Sequence, residues 1–373
     1  MKQKVTLGVL SALLLLAVGA VLTGLALCPV RQKKPVQSQH LDIFQSYQAE
    51  MENRFDRILY GQEQVKKVYQ ISDTAAAAPA PDPEGYGRAE DPAELRWLLE
   101  AAQELLDGQA LYFSPDVELC PGSDVRYYLD ETILAVTWKQ VIANSVFTFA
   151  EVKIAHPSQL RRHLSGGEYG SGKLELTTRM ARSVNAVAAC SGDYYSYRRE
   201  GLTATNGTVH KYDPGERGAL DICMIDRNGD MILERTLVLD GMEGAQEYID
   251  QHDVNFTLAF GPILVKDGEL QHTSYYPIGE IIYKYPRAAL CQMDKLHYLF
   301  MVCNKDDYRY SMLSMDVFAQ CVYETGCRQA YALDGGQTAT VVLNNETIND
   351  VNYGSERRIS DMFYFATAKP AGE

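Results

Sequence analysis

Eight cysteines are scattered through the 373 residues (Cys28, Cys120, Cys190, Cys223, Cys291, Cys303, Cys321 and Cys327), and no two of them form a CxxC pair. Zinc ribbons and thioredoxin-type centres are built on such pairs, so the sequence points to neither. Most of the cysteines have apolar neighbours, as in Ala189-Cys190 and Val302-Cys303, and read as buried free thiols. Cys321 and Cys327 could pair, but nothing indicates a fold that depends on disulfides. The seven histidines include no HExxH and no pair at helical ligand spacing, and no GxSxG nucleophile elbow occurs. No metal or cofactor is therefore expected. Basic residues are also scarce. The first 34 residues hold Lys2, Lys4, Arg31, Lys33 and Lys34 and no acid, and the rest carries 30 Lys and Arg against 49 Asp and Glu. A surface that acidic repels nucleic acid, which is excluded as a partner.

Two segments come close to nucleotide and metal motifs and miss. Gly167-Glu168-Tyr169-Gly170-Ser171-Gly172-Lys173-Leu174 imitates a phosphate-binding loop, but Leu174 stands where a hydroxyl should reach magnesium. The glycines also follow a stretch read as helical, so a plain loop is expected. Asp226-Arg227-Asn228-Gly229-Asp230 begins like a calcium loop and lacks the remainder, so Asn228-Gly229 reads as a hairpin turn between two apolar runs.

Residues 5–27 are uncharged, long enough for one helix to cross a bilayer core of about 30 Å. They suggest a single-pass anchor over 1–34 that holds an exported domain outside the cell. In 35–90, Phe44, Met51, Ile58 and Val65 recur every seven residues, as in a helical stalk, although Arg54 and Gly61 interrupt the seam. The Ala- and Pro-rich run from Ala75 to Gly85 reads as a linker. Asp91-Pro92-Ala93-Glu94 then carries the cap, first-turn proline and third-position acid of a helix start. Leu95, Leu98, Leu99, Ala102, Leu105 and Leu106 mark its buried face, and Gly108 its end. Residues 91–150 form the first part of a globular region and 151–370 its functional domain. Strands are expected at Ile133 to Trp138, Val146 to Val152, Leu220 to Ile225, Tyr298 to Val302 and Ala339 to Leu343. Helices are expected at Ser158 to Leu164, Leu176 to Val184, Ala245 to Ile249 and Ser314 to Thr325. Without a strict βαβ rhythm, these predict an α+β fold with a mixed sheet and flanking helices.

Four segments place charged side chains among small or turn-forming residues beside apolar runs, where a sheet carries loop-borne sites. They are Ser191-Gly192-Asp193-Tyr194-Tyr195, Gly261-Pro262 through Lys266-Asp267-Gly268, Pro286-Arg287-Ala288-Ala289, and Leu333-Asp334-Gly335-Gly336-Gln337-Thr338. With Glu356-Arg357-Arg358-Ile359-Ser360 they stand in the order seen in the phosphodiester glycosidase family, which the chain resembles from Glu151 to Lys369. The sequence departs from the family pattern at five places: Ser191 and Ala332 replace Asn, Ala288 replaces Thr, and Gln337 and Ser355 replace Gly.

The resemblance implies a hydrolase that cleaves a sugar 1-phosphodiester, on exopolysaccharide or wall glycoconjugate if the domain is exported. Such a reaction passes through an oxocarbenium-like state that a carboxylate stabilises or attacks while cations hold the departing phosphate. Asp334 is the first candidate for the carboxylate, and Glu356 or Asp193 for a partner. Arg287 suits the phosphate, with Lys266 or Arg357 adding charge. Gly192, Gly335 and Gly336 would let backbone come close, Thr338 would line the site, and Tyr194 and Tyr195 would face the pyranose ring. Two readings stay open at this point: an active hydrolase, or a carbohydrate-binding or assembly protein that kept the fold and lost turnover.

Overall fold

A computed structural model describes residues 78–193, 195–215, 220–235, 237–276, 283–304 and 312–369. The anchor, the stalk and Tyr194 lie outside the described residues. Among those residues no helix is long and apolar enough to cross a membrane.

The first strands are β1 (Tyr86–Ala89), β2 (Val125–Leu129), β3 (Ile133–Ile142), β4 (Ser145–Ile154), β5 (Leu160–Leu164) and β6 (Ala188–Ser191). Next come β7 (Gly201–Thr205), β8 (Thr208–Asp213), β9 (Ile222–Asp226), β10 (Met231–Glu234), β11 (Val254–Leu258), β12 (Ile263–Lys266) and β13 (Glu269–Leu270). The last are β14 (Arg287–Asp294), β15 (His297–Asn304), β16 (Gln329–Leu333), β17 (Val341–Leu343), β18 (Glu346–Thr347) and β19 (Asp361–Phe365). The helices are α1 (Arg96–Ala101), α2 (Gln103–Leu106), α3 (Thr177–Ser183), α4 (Gly241–Gln251) and α5 (Met315–Tyr323). The chain is thus α+β, as expected, and it is rich in sheet.

A nine-stranded sheet runs β1-β2-β3-β4-β15-β14-β16-β12-β13, and a five-stranded one runs β18-β17-β6-β19-β5. A three-stranded sheet, β10-β9-β11, and the β7-β8 ribbon complete the set. All the strand pairs among the described residues are antiparallel. Because side chains alternate across a strand, the large sheet has two apolar faces. Leu290, Phe300, Val302, Tyr331 and Leu333 face Cys190, Val341, Phe363 and Phe365 of the five-stranded sheet and Ile225, Met231 and Phe256 of the three-stranded one. On the opposite face Val136, Trp138, Phe149, Met301 and Ala332 pack under Leu98 and Leu106 of α1 and α2 and Phe318 and Val322 of α5. The outer faces of the smaller sheets are covered by α3 and α4.

Three local expectations change. Ser158 to Leu164 is not a helix: Pro157–Gln159 makes one 3-10 turn and Leu160–Leu164 is β5, paired with β19. A four-residue spacing of Leu160 and Leu164 fits one face of a helix or of a strand, and the ladder to β19 decides between them. Asp91 does cap, accepting from the Ala93 amide at 2.9 Å, but onto a 3-10 turn that leads into the short α1 and α2. The boundary at 150/151 falls inside β4, which pairs along its whole length with β3 and β15, so 91–150 and the following segment share one sheet.

The ordered fold also starts earlier than residue 91. The Ala78 amide donates to the Val184 carbonyl at 3.0 Å, the Asn185 side-chain Nδ2 to the Ala78 carbonyl at 2.7 Å, and β1 pairs with β2. A chain beginning at residue 91 lacks all of these contacts and should melt several degrees below one beginning at residue 76. Equal melting temperatures by circular dichroism would show that 78–90 adds nothing to the domain.

Candidate active site

At one end of the sandwich, strands from both large sheets hand the chain over to loops. β16 ends at Leu333, and the following segment, Asp334 to Thr340, crosses from the nine-stranded sheet into β17 of the five-stranded one. β6 ends there at Ser191 and β19 begins at Asp361, since Met362 pairs with Ser191. β14 begins there as well, with Ala288 opposite Leu333, and Pro262 accepts the Ala332 amide at 3.0 Å. The sequence segments around residues 192, 261, 287 and 334 are therefore neighbours in space.

Beneath these loops lies a buried charged group. Arg162 of β5 donates from Nε to Asp361 Oδ2 at 2.8 Å, and its Nη2 lies 3.1 Å from Asp193 Oδ2. All three side chains are essentially inaccessible. Nη1 bonds the Thr257 carbonyl. Asp193 is saturated further: Oδ2 accepts the Ala259 amide at 3.0 Å and Oδ1 the Tyr195 amide at 2.8 Å. Two carboxylates sharing one guanidinium leave a surplus negative charge in a dry place. Burial pushes the Asp361 carboxyl up to about 7, with Asp193 adding to the rise against the pull of Arg162. Gly192 runs so close over Asp361 that a Cβ would collide with its carboxylate, so no other residue fits there without a shift.

Asp334 stands above this group, partly open to solvent. Burial pushes its carboxyl up to about 6. A hydrogen bond from Thr338 and the charges of Arg198 and Arg357 pull the other way, and Asp193 adds to the rise. The loop holding Asp334 is pressed against the start of β14: the Gly336 amide donates to the Pro286 carbonyl at 2.9 Å, and a Cβ on Gly335 would strike that same oxygen. Arg198 lies over the Phe260 ring at 4.7 Å, and Arg357 over Tyr197 at 5.3 Å. The Lys211 ammonium fixes the loop carrying Tyr197 and Arg198, donating to the Tyr195 and Arg198 carbonyls at 2.9 Å each. The result is one carboxylate with a raised pKa facing two arginines that are held on aromatic rings.

The sequence model of the phosphodiester glycosidase family matches residues 184–366, the stretch that contains Asp193, Asp334, Arg357 and Asp361. These residues belong to the phosphodiester glycosidase family. The family and the fold are those of a hydrolase. Among solved structures, the zebrafish N-acetylglucosamine-1-phosphodiester alpha-N-acetylglucosaminidase catalytic domain, auto-inhibited by its pro-peptide, superposes with a TM-score of 0.50 at 14% identity, covering 64% of this chain and 84% of that one. A hypothetical protein from Synechocystis superposes with a TM-score of 0.46 at 12% identity over 67% of this chain and 64% of its own. The SPbeta prophage-derived uncharacterized protein YomE of Bacillus subtilis (strain 168) is 23% identical over 196 residues, 52% of this chain and 30% of that protein. The chain thus spans less than a third of the length of that curated relative.

Within the described residues the candidates from the sequence separate. Asp334, Gly335, Gly336, Thr338, Gly192 and Arg357 converge on the open end. Asp193 comes with them, but as a fully bonded anchor. Glu356 is engaged elsewhere: Oε2 accepts the Thr178 amide at the start of α3 at 3.2 Å and Oε1 the Thr347 hydroxyl at 2.7 Å. Arg287 is buried, donating to the Tyr283 carbonyl at 2.5 Å and the Leu313 carbonyl at 3.4 Å, with Tyr285 beside it. Lys266 sits at the other end of β12 and donates to the Leu233 carbonyl at 2.7 Å. Tyr195 is buried between Tyr169, 5.4 Å away, and Arg162, 5.5 Å from its ring centre, so its faces are covered. The glycine loop that imitates a phosphate-binding loop supplies that Tyr169.

The departures from the family pattern also find places. Ala288 and Ala332 are fully buried in the apolar layers on the two faces of the sheet, packed among core side chains. Ser191 Oγ accepts the Thr340 amide at 3.3 Å. Gln337 and Ser355 meet each other, the Gln337 amide donating to the Ser355 carbonyl at 3.0 Å and hydroxyl at 3.4 Å. Arg162, Arg198, Lys211 and Asp361 escape a reading by motif. Arg162 is flanked two residues away on each side by Leu160 and Leu164, an alternation that a strand reading would have turned inward.

Removing the shared guanidinium leaves two buried carboxylates facing each other, so Arg162→Met should cost about 3–5 kcal/mol of stability by urea denaturation. The pH dependence follows from the raised pKa of Asp361, from 3.8 to about 7. A group that binds its proton more tightly when folded stabilises below its unfolded pKa, and that contribution is lost as pH rises through its folded one. Stability should therefore decline between about pH 4 and pH 7, and Asp361→Asn should flatten part of that decline. An unchanged slope in the variant would show that Asp361 titrates normally.

Proposed function

We propose that the domain hydrolyses sugar 1-phosphodiesters, with Asp334 at the anomeric carbon and Arg198 and Arg357 on the phosphate. The observation that carries this reading is the pairing of a single partly open carboxylate, its pKa raised to about 6, with two arginines held on Phe260 and Tyr197. The bond from the anomeric carbon to the phosphate oxygen breaks, and the phosphate leaves with the bonding pair as a monoester. Water completes the reaction at the carbon and gives up a proton. A phosphate leaving group needs little protonation, so the group most required is an anion that stabilises the oxocarbenium-like state, which ionised Asp334 supplies. The arginines neutralise charge on the leaving group through charge-assisted hydrogen bonds to its oxygens. Asp193, Asp361, Glu356 and Arg287 act as positioning residues, because hydrogen bonds and ion pairs within the fold already engage them. The uncharged stretch at residues 5–27 supports an exported enzyme anchored in the membrane, acting on polysaccharide or wall glycoconjugate outside the cell.

An ionised Asp334 predicts that kcat/KM for an aryl ester of a sugar 1-phosphate rises with pH through about 6 and then levels. A fall in rate above pH 6 would instead make Asp334 the proton donor. Asp334→Asn should lower turnover by roughly 100-fold or more. The same change should raise the melting temperature at pH 8, because the fold no longer has to hold an anion whose pKa it raises. An Asn variant with full activity would remove Asp334 from the chemistry.

A further inference from the structure

The segment from Asn352 to Arg357 forms the rim beside the Asp334 loop. It is fixed at three points: the Gly354 amide on the Val351 carbonyl at 2.9 Å, Ser355 on Gln337, and Glu356 on Thr178 and Thr347. At the tip is Tyr353, with a backbone φ of +64° followed by Gly354 at +70°. A left-handed conformation costs a bulky residue about 1–2 kcal/mol, and glycine or asparagine would fill this turn with less strain. The Tyr353 ring gives the fold little in return. At 84% exposure it is the most solvent-exposed large apolar side chain among the described residues. Backbone strain of this kind occurs at ligand clamps as well as at tight turns, and here it is joined to an exposed ring beside the Asp334 loop.

Position adds the chemistry. Tyr353 is two residues, or about 7 Å of chain at most, from Ser355, which bonds the same loop that carries Asp334. It is four residues from Arg357, one of the two arginines assigned to the phosphate. Resting on that assignment, we infer that Tyr353 is an outer sugar subsite on the leaving-group side. Its exposed face stacks on the apolar face of a pyranose in the chain beyond the phosphate and selects oligomeric substrates over single phosphodiester units. A tyrosine suits this role, with a flat apolar face and a hydroxyl that stays in water. The pinned loop fixes the backbone that carries the ring, which limits the ordering cost of binding.

The test uses the full chain and two esters of N-acetylglucosamine 1-phosphate, one with phenol and one with a pyranose tetrasaccharide. Tyr353→Asn keeps a residue that tolerates the left-handed turn and removes the ring. The ratio of kcat/KM for the tetrasaccharide ester over the phenyl ester should fall by about tenfold in the variant, with a melting temperature equal to or above that of the wild type. An unchanged ratio overturns the subsite. If the wild type turns over neither ester, the hydrolase reading fails by itself, and calorimetric binding of the intact tetrasaccharide ester decides the subsite: weaker binding by the variant supports it, and equal affinity overturns it.

Discussion

Asp193 and Asp361 come from different strand ends of the five-stranded sheet and compete for the one guanidinium of Arg162, in a place that water does not reach. Each further bond of Asp193 runs to backbone: the Ala259 amide at the end of β11 and the Tyr195 amide in the loop that leads to Arg198. One side chain thus sets the spacing between the five-stranded sheet, the three-stranded sheet and the loop that brings Arg198 towards Asp334. The energetics of such a group are unforgiving. A buried ion pair adds little over an apolar replacement, but losing one partner leaves an uncompensated charge in low dielectric. What the arrangement gives in return is geometry, since two acids and a guanidinium satisfy their bonds together in one relative placement of three elements.

The proposed function requires a chain with a formal net charge of −14 to hold a phosphate. The bulk field repels anions, so attraction has to be local. Arg198 and Arg357 are held on aromatic rings near Asp334, and Lys211 braces the loop from below through two carbonyls. The glycines serve the same end by removing side chains: Gly335 lets the Asp334 loop lie against Pro286, and Gly192 lets its loop lie over Asp361. The contact between Gln337 and Ser355, both at positions where the family pattern has glycine, ties the rim to the Asp334 loop. These two departures fit together, and the alanines at 288 and 332 are core residues.

Legibility in the sequence followed the kind of signal each residue leaves. Apolar runs such as β3, β4 and β15 were readable because they are rich in β-branched or aromatic residues, and α3, α4 and α5 because their apolar spacing is helical. β5 was read as a helix, since Leu160 and Leu164 suit either period, and on a helix Arg162 does not share their face. Asp334 and its glycines were readable as a charged group in a turn that must come close to something. Arg198 and Lys211 carry no local signature, because their roles come from loops that meet only in three dimensions. Arg287 and Glu356 show the reverse, with strong motif positions whose side chains turn out to bond backbone groups within the fold.

The central claim is that the bond broken lies between the anomeric carbon and the phosphate oxygen, because Asp334 stabilises charge at carbon. Hydrolysis of a sugar 1-phosphodiester in water enriched in oxygen-18 tests it directly, with mass spectrometry of both products. The account predicts the heavy oxygen in the released sugar and none in the phosphomonoester. Heavy oxygen in the phosphate would mean attack at phosphorus, and the site would then be a phosphodiesterase in which the arginines, not Asp334, carry the chemistry.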